Sequence, residues 1–145
     1  MFVEQLLPAA SKRLVTIADD APLIEAARLL RWGTDLVVVC GAAGRLAGVI
    51  TKTDIVGQMS NCQGAGCTTA VSSVMTRDPV LCRPDELLHD VWTRMKARGL
   101  KNLPVANQDF RPLGVLNARD VLQVLLHASE DEEAMLRDYV MGVGY

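Results

Sequence analysis

Residues 48–54 read Gly48-Val49-Ile50-Thr51-Lys52-Thr53-Asp54, and 66 positions later the chain reads Gly114-Val115-Leu116-Asn117-Ala118-Arg119-Asp120. Each stretch runs from glycine through an apolar pair to a hydroxyl or amide side chain, with aspartate three residues beyond. That is how a strand leads straight into a helix. The same offset, with no gap, aligns Asp19 with Asp85, Arg28 with Arg94, Gly33 with Gly99, Val39 with Val105 and Arg45 with Arg111. Class survives where identity fails, as in Ile55 against Val121 and Val56 against Leu122. An internal duplication sets the architecture before any single motif does. A unit of roughly 60 residues buries too little surface to be stable alone. The two copies are therefore expected to pack on each other and to leave a cleft between similar halves.

Each copy carries the same order of elements: strand, helix, strand, strand, helix. In the first, Leu14–Ile17 reads as a short strand, Asp19 and Asp20 as caps, and Pro22 as a first-turn residue. Leu23, Ile24, Ala27 and Leu30 recur at helical spacing to about Trp32, and Gly33 suits the left-handed residue that ends a helix. The run Leu36-Val37-Val38-Val39-Cys40 predicts a strand buried on both faces. Gly41–Gly44 turns the chain into a partner strand over Arg45–Thr51, and a helix follows over Lys52–Met59. In the second copy the corresponding segments are Val80–Cys82, a helix ending at Gly99, a hairpin of Asn102–Ala106 with Pro112–Leu116, and a helix from Ala118 to about His127. The expected division is residues 1–60 as the first repeat, 61–70 as a polar linker, 71–127 as the second repeat and 128–145 as an acidic tail. Ala70–Met75 reads as a short helix. Ser129 with Glu132 has the spacing of a capping box and predicts a separate tail helix with Leu136, Tyr139 and Val140 on one face.

Among the 145 residues, 50% are apolar and only 4% aromatic, an aliphatic core of α/β type. No stretch is long and apolar enough to span a bilayer. The N-terminus shows no basic region of a secretory signal, so a cytoplasmic location is expected. A net charge of −2 with scattered Lys and Arg argues against a nucleic-acid partner. Cys40 and Cys82 end apolar runs and read as core thiols. Cys62 and Cys67 flank Gln63-Gly64-Ala65-Gly66; a metal or redox pair there is a minor alternative, since the spacing is not the usual one and no His is near.

Two readings of the duplicated motif compete. Thr51 or Asn117 at a helix N-cap with aspartate three residues on approximates a capping box, worth about 1 kcal/mol without any ligand. The same geometry offers free N–H groups and a positive dipole end to a phosphate, and a carboxylate to the vicinal hydroxyls of a ribose. Two copies at matched positions beside one cleft favour the ligand reading.

With these residues in view, the sequence resembles a tandem pair of CBS domains, often called a Bateman module, over roughly residues 10–127. The likeness rests on the duplicated βαββα order, on the motif Gly-hydrophobic-x-Thr/Ser-x-x-Asp, on Val74-Met75-Thr76 and on Lys101-Asn102-Leu103-Pro104-Val105. It implies an α/β fold of two repeats related by pseudo-twofold symmetry and packed through their sheets. It also implies a non-catalytic regulatory module that binds an adenosine-containing ligand (AMP, ADP, ATP or S-adenosylmethionine) and needs no metal or other cofactor. By that resemblance Thr51 and Asp54 serve one cleft, Asn117 and Asp120 the other. Asn117 departs from the family's Thr or Ser. Lys101, just before the Asn102-Leu103 strand, would offset phosphate charge, whereas Asp35 at the equivalent position would oppose it, so the clefts should be unequal. Adenine is expected between apolar strand segments near Leu100–Leu103. Lys52 and Arg119 read as surface charge, His89 and His127 as surface positions, Trp32 and Trp92 as packing residues, and Met75, Met95 and Met135 as filling apolar stripes. A homodimer is expected, with a regulated protein as a further partner. The rival reading is a ligand-free interaction module whose motifs only cap helices.

Overall fold

The computed structural model describes residues 1–61 and 68–140, the side chain of Tyr139 excepted. The chain opens with a 3-10 turn, Val3–Leu6, that runs into α1 (Leu7–Lys12). The first repeat follows as β1 (Thr16–Ala18), α2 (Leu23–Leu29), β2 (Leu36–Cys40), β3 (Leu46–Thr51) and α3 (Lys52–Ser60). A 3-10 turn, Val71–Ser73, leads to β4 (Thr76–Arg77). The second repeat is α4 (Leu88–Arg98), β5 (Asn102–Ala106), β6 (Pro112–Asn117) and α5 (Ala118–Val140). One sheet has the order β1-β2-β3-β4, with β1 parallel to β2 and the other pairs antiparallel; the second sheet is the β5-β6 hairpin. The duplication holds at the level of register. Val38 pairs with Val49 and Val39 with Gly48, just as Pro104 pairs with Val115 and Val105 with Gly114. The pairing shifts at the same place in both hairpins, after Val39 and after Val105.

The strand period of two sorts the apolar residues into three layers. Val37, Val39 and Ile50 face the first repeat's own helices, with Leu23, Ala26 and Ile55. Leu103, Val105 and Leu116 do the same in the second repeat, with Leu88, Val91 and Met95. The alternate residues Leu36, Val38 and Val49 meet Val115 of the second repeat in a third cluster between the sheets. The double-sided burial expected of Leu36–Cys40 is thus what joins the halves.

The segments that precede each repeat are exchanged. Val71 and Ser72 donate their N–H groups to the Ala21 and Asp19 carbonyls at 2.8 and 2.9 Å, so the approach to repeat two braces repeat one. At the chain start, Val3 and Glu4 donate to the Glu86 and Pro84 carbonyls at 3.0 Å, and Met1 accepts from the Leu88 N–H at 2.9 Å. The backbones come close at two equivalent glycines. A Cβ on Gly48 would lie 2.5 Å from the Thr76 carbonyl oxygen, and one on Gly114 would lie 2.6 Å from the Ala10 carbonyl carbon.

Several expectations are corrected. The strand expected at Leu14–Ile17 lies at Thr16–Ala18, and Val80–Cys82 contributes only a single parallel bridge, Cys82 to Val105. Where a short helix was expected over Ala70–Met75, only Val71–Ser73 is helical, as a 3-10 turn. The start of α2 is capped by no side chain, because Pro22 rather than Asp19 or Asp20 stands at its N-cap. That helix ends at Leu29, which turns Trp32 outward; it is 79% exposed, with the Arg31 guanidinium 5.1 Å above its ring. Among the described residues there is no separate tail helix: α5 runs unbroken through Ser129 to Val140, since nothing between Leu125 and Ala128 breaks a helix. Met135, Leu136 and Val140 are exposed on it. Cys62 and Cys67 lie outside the described residues.

Gly114→Ala is expected to destabilise the fold by about 1–3 kcal/mol, because a new methyl must displace backbone rather than a flexible side chain. Thermal melting measures it, and a melting temperature equal to that of the parent would contradict the close approach of α1 to β6.

Candidate functional site

Thr51 ends β3 and, with extended φ −124° and ψ 171°, starts α3 as its N-cap. The Asp54 N–H donates to Thr51 Oγ1 at 3.4 Å, while the Thr51 N–H and hydroxyl both reach Asp54 Oδ2, at 2.9 and 3.1 Å. The capping box of the rival reading is therefore formed. It occupies one oxygen of Asp54 and leaves Oδ1 outside the box; a carboxylate accepts through both oxygens. Lys52 Nζ sits 3.6 Å from Asp35 Oδ1, and both side chains are more than half exposed.

The second copy is wired differently. Asn117 Oδ1 accepts from the Arg119 N–H at 2.9 Å, and its Nδ2 donates to Asn102 Oδ1 across the hairpin at 3.3 Å. Neither bond involves Asp120. The Asp120 carboxylate instead pairs with the guanidinium of Arg13, the residue that caps the C-terminus of α1. Arg13 is 37% and Asp120 28% exposed at the side chain.

A cleft of about 280 Å³ opens beside this pair. Its walls include Arg13 and Val15 from the start of repeat one, Thr34 and Asp35 before β2, and Asn102 and Asn117 from repeat two. That volume is close to the lower bound of ligand pockets, about 300 Å³. Of the residues expected from sequence, Asn102 and Asn117 line it and Asp120 adjoins it through Arg13. Thr51 and Asp54 stand together at the other motif. Lys101 is exposed, and its carbonyl accepts from the Ala118 N–H at 2.8 Å. Leu103 is corrected: it points the other way from Asn102, wholly buried in its repeat's own core, and Leu100 packs against that same core. Asp35 lines the cleft of Asn117, with Lys52 beside it. Lys12, Arg13 and Thr34 line the cleft and were not among the expected site residues. Arg13 has no basic counterpart 66 positions on, where Pro79 stands, so the repeat itself could not flag it.

A second concavity of about 550 Å³ lies on the outer side of repeat two, built around Arg94 and Glu86. Arg94 Nη2 meets Glu86 Oε1 at 2.6 Å, and its Nη1 donates to the Leu81 carbonyl at 2.9 Å. The Arg94 hydrogen bond holds the Glu86 carboxyl below the usual range, and Glu86 in turn raises Arg94. Burial, reinforced by the Glu86 charge, pushes the Cys82 thiol up to about 12. Cys82 is thus a protonated core residue at neutral pH, not a nucleophile. His89 and His127 are exposed, as expected.

Two interlocked repeats of the same element order, the second of which brings its strand-to-helix junction at Asn117 to a cleft between them, define a tandem repeat of CBS type. The chain belongs to the CBS domain family: the CBS domain model matches residues 3–61 and 71–127. A protein of unassigned role from Methanocaldococcus jannaschii is 28% identical over 115 residues, covering 78% of this chain and 41% of that one. Inosine-5'-monophosphate dehydrogenase of Korarchaeum cryptofilum is 27% identical over 128 residues, covering 86% of this chain and 25% of the enzyme. The chain therefore spans less than half the length of these relatives. Among solved structures, CBSX2 in complex with AMP superposes with a TM-score of 0.74 at 20% identity, covering 88% of this chain and 98% of that one. The CBS domain pair of protein MJ0100, in complex with 5'-methylthioadenosine and S-adenosylmethionine, superposes at 0.72 with 22% identity and the same coverage.

Glu86 is held below its ordinary value, so its contribution to stability is present above the unfolded carboxyl range, near 4.5, and is lost as pH falls through the lower folded value. Arg94→Leu should cost about 1 kcal/mol at neutral pH, solvent screening at this partly exposed site keeping it small. The difference from the parent should shrink in chemical denaturation as pH falls below about 4. A difference independent of pH would mean that Arg94 acts through packing alone.

Proposed function

We propose that this chain is a non-catalytic regulatory module that binds an adenosine-containing ligand of the AMP, ADP or ATP class between its repeats and signals by a change of shape or assembly. The observation that carries this reading is the cleft between the repeats, where Asn102 and Asn117 face Arg13 and Thr34 beside the Asp120 carboxylate. A carboxylate suits a ribose diol, and Arg13 with Lys12 supplies positive charge for phosphate. The adenosine compounds bound by CBSX2 and by the MJ0100 pair support the ligand class. On this reading the protein needs no metal or cofactor and works from the cytoplasm on a partner protein. Titration calorimetry with AMP, ADP, ATP and S-adenosylmethionine tests it. Asp120→Ala and Asp54→Ala should each weaken one of two sites by about 1.5–3 kcal/mol, the scale of a charge-assisted hydrogen bond. A ligand-free interaction module is favoured by one specific observation, the completed Thr51–Asp54 capping box. No heat with any of these ligands, and a loss of melting temperature alone in Asp54→Ala, would establish that second reading.

We also propose a homodimer through the helical faces. Val56 on α3 and its repeat-equivalent Leu122 on α5 both expose apolar surface, and Met59 and Leu126 extend the two patches. Val56 and Met59 are 65% and 66% exposed, a costly arrangement for a free protomer. Light scattering on Val56→Asp combined with Leu122→Asp should give a monomer where the parent gives twice that mass. A parent already monomeric, or a variant still dimeric, refutes this interface.

A further inference from the structure

We infer that Arg13 is an exchangeable latch that makes the Asp120 cleft selective for adenosine ligands carrying a phosphate; the inference rests on the adenosine reading above. The two motif aspartates differ in what holds them. Asp54 is tied to Thr51 within its own helix cap. Asn117 gives its side chain to Arg119 and Asn102, so Asp120 is left to a residue 107 positions away, Arg13. That pair spans the two repeats, and its Arg13 end lines the cleft. Both partners keep contact with solvent, and ion pairs of this kind add little to stability. The pair is therefore easily given up for a ligand that satisfies both ends.

The charges around the cleft say which ligand does so. Lys12, Arg13, Asp35 and Asp120 face or adjoin it, and Lys52 balances Asp35. A ribose diol that takes the Asp120 oxygen held by Arg13 displaces the guanidinium from its ion pair. A neutral nucleoside offers nothing in return and leaves a guanidinium unpaired. A phosphate replaces the lost carboxylate with an anion of matching bidentate geometry. Occupancy by a phosphate-bearing ligand thus trades one ion pair for two interactions, a diol on Asp120 and a phosphate on Arg13. The exchange also moves the C-terminal cap of α1, whose Ala10 rests against Gly114 of β6.

The test compares AMP with adenosine by calorimetry, in an Asp54→Ala background that removes the carboxylate of the other motif. With Arg13 present, AMP should bind at least about tenfold more tightly than adenosine, as one charge-assisted contact predicts. Arg13→Gln should bring the two affinities within about threefold of each other, chiefly by weakening AMP, while adenosine holds or gains because Asp120 is now free. Arg13→Lys should restore most of the preference, and circular dichroism should show both variants folded. A preference for AMP that survives Arg13→Gln overturns the latch, as does an equal loss for both ligands, which would mark Arg13 as merely structural. These results would leave the adenosine reading standing. Failure of the parent to bind either ligand would overturn that reading and this inference with it.

Discussion

Everything else in the molecule depends on the apolar layer of Leu36, Val38, Val49 and Val115 between the two sheets. Each repeat covers only one face of its hairpin with its own helices. The other face needs a partner, because exposed β-branched strands carry both a hydrophobic cost and an aggregation hazard. The duplicate supplies a partner of the same shape. Sheets twist, so two that touch along their middle diverge toward their ends. Apolar residues fill the middle, and the polar ends of the same strands, Asn102 and Asn117, border the gap. The cleft follows from packing two twisted surfaces whose apolar residues stop short of the strand ends.

The exchanged leading segments turn that contact into an interlock. Gly48 and Gly114 lack a side chain because the chain itself, at Thr76 and Ala10, occupies the space a Cβ would need. Each repeat thus presents an outer strand to the segment that introduces the other. Neither half can leave without breaking backbone hydrogen bonds as well as apolar contacts. This is why a chain of two small units behaves as one body.

The two hairpins and the four repeat helices were legible in the sequence because they rest on local patterns written twice. Leu36–Cys40 announced burial on both faces, and Gly99, with φ +63°, ends α4 as its residue type predicts. What escaped had no local signature. α1 is six residues long, too short to be stable by propensity, and it exists because it docks on β6. Arg13 belongs to the site through a long-range pair, and its repeat-equivalent is a proline. Leu103 is the exception, because strand alternation by itself sets it on the opposite face from Asn102. Trp32 followed a helix that stops one turn earlier than its apolar spacing indicates. Periodicity identifies elements, but not where tertiary contacts end them.

The motif that opens the sequence reading has two energetic identities. With threonine at the cap, the aspartate closes a local box, and its geometry is set by three covalently near groups. With asparagine, the cap turns to the neighbouring strand and the aspartate becomes available to the rest of the molecule. One amide for one hydroxyl thus converts a helix-stabilising carboxylate into one that joins two repeats. A ligand can shift a conformational equilibrium only through contacts that differ between states. A carboxylate held by its own helix changes little when a ligand arrives; one held by Arg13 must change partners. On the regulatory reading, the two motifs therefore differ in kind: the Thr51 motif is suited to constant structure, and the Asn117 motif to being read.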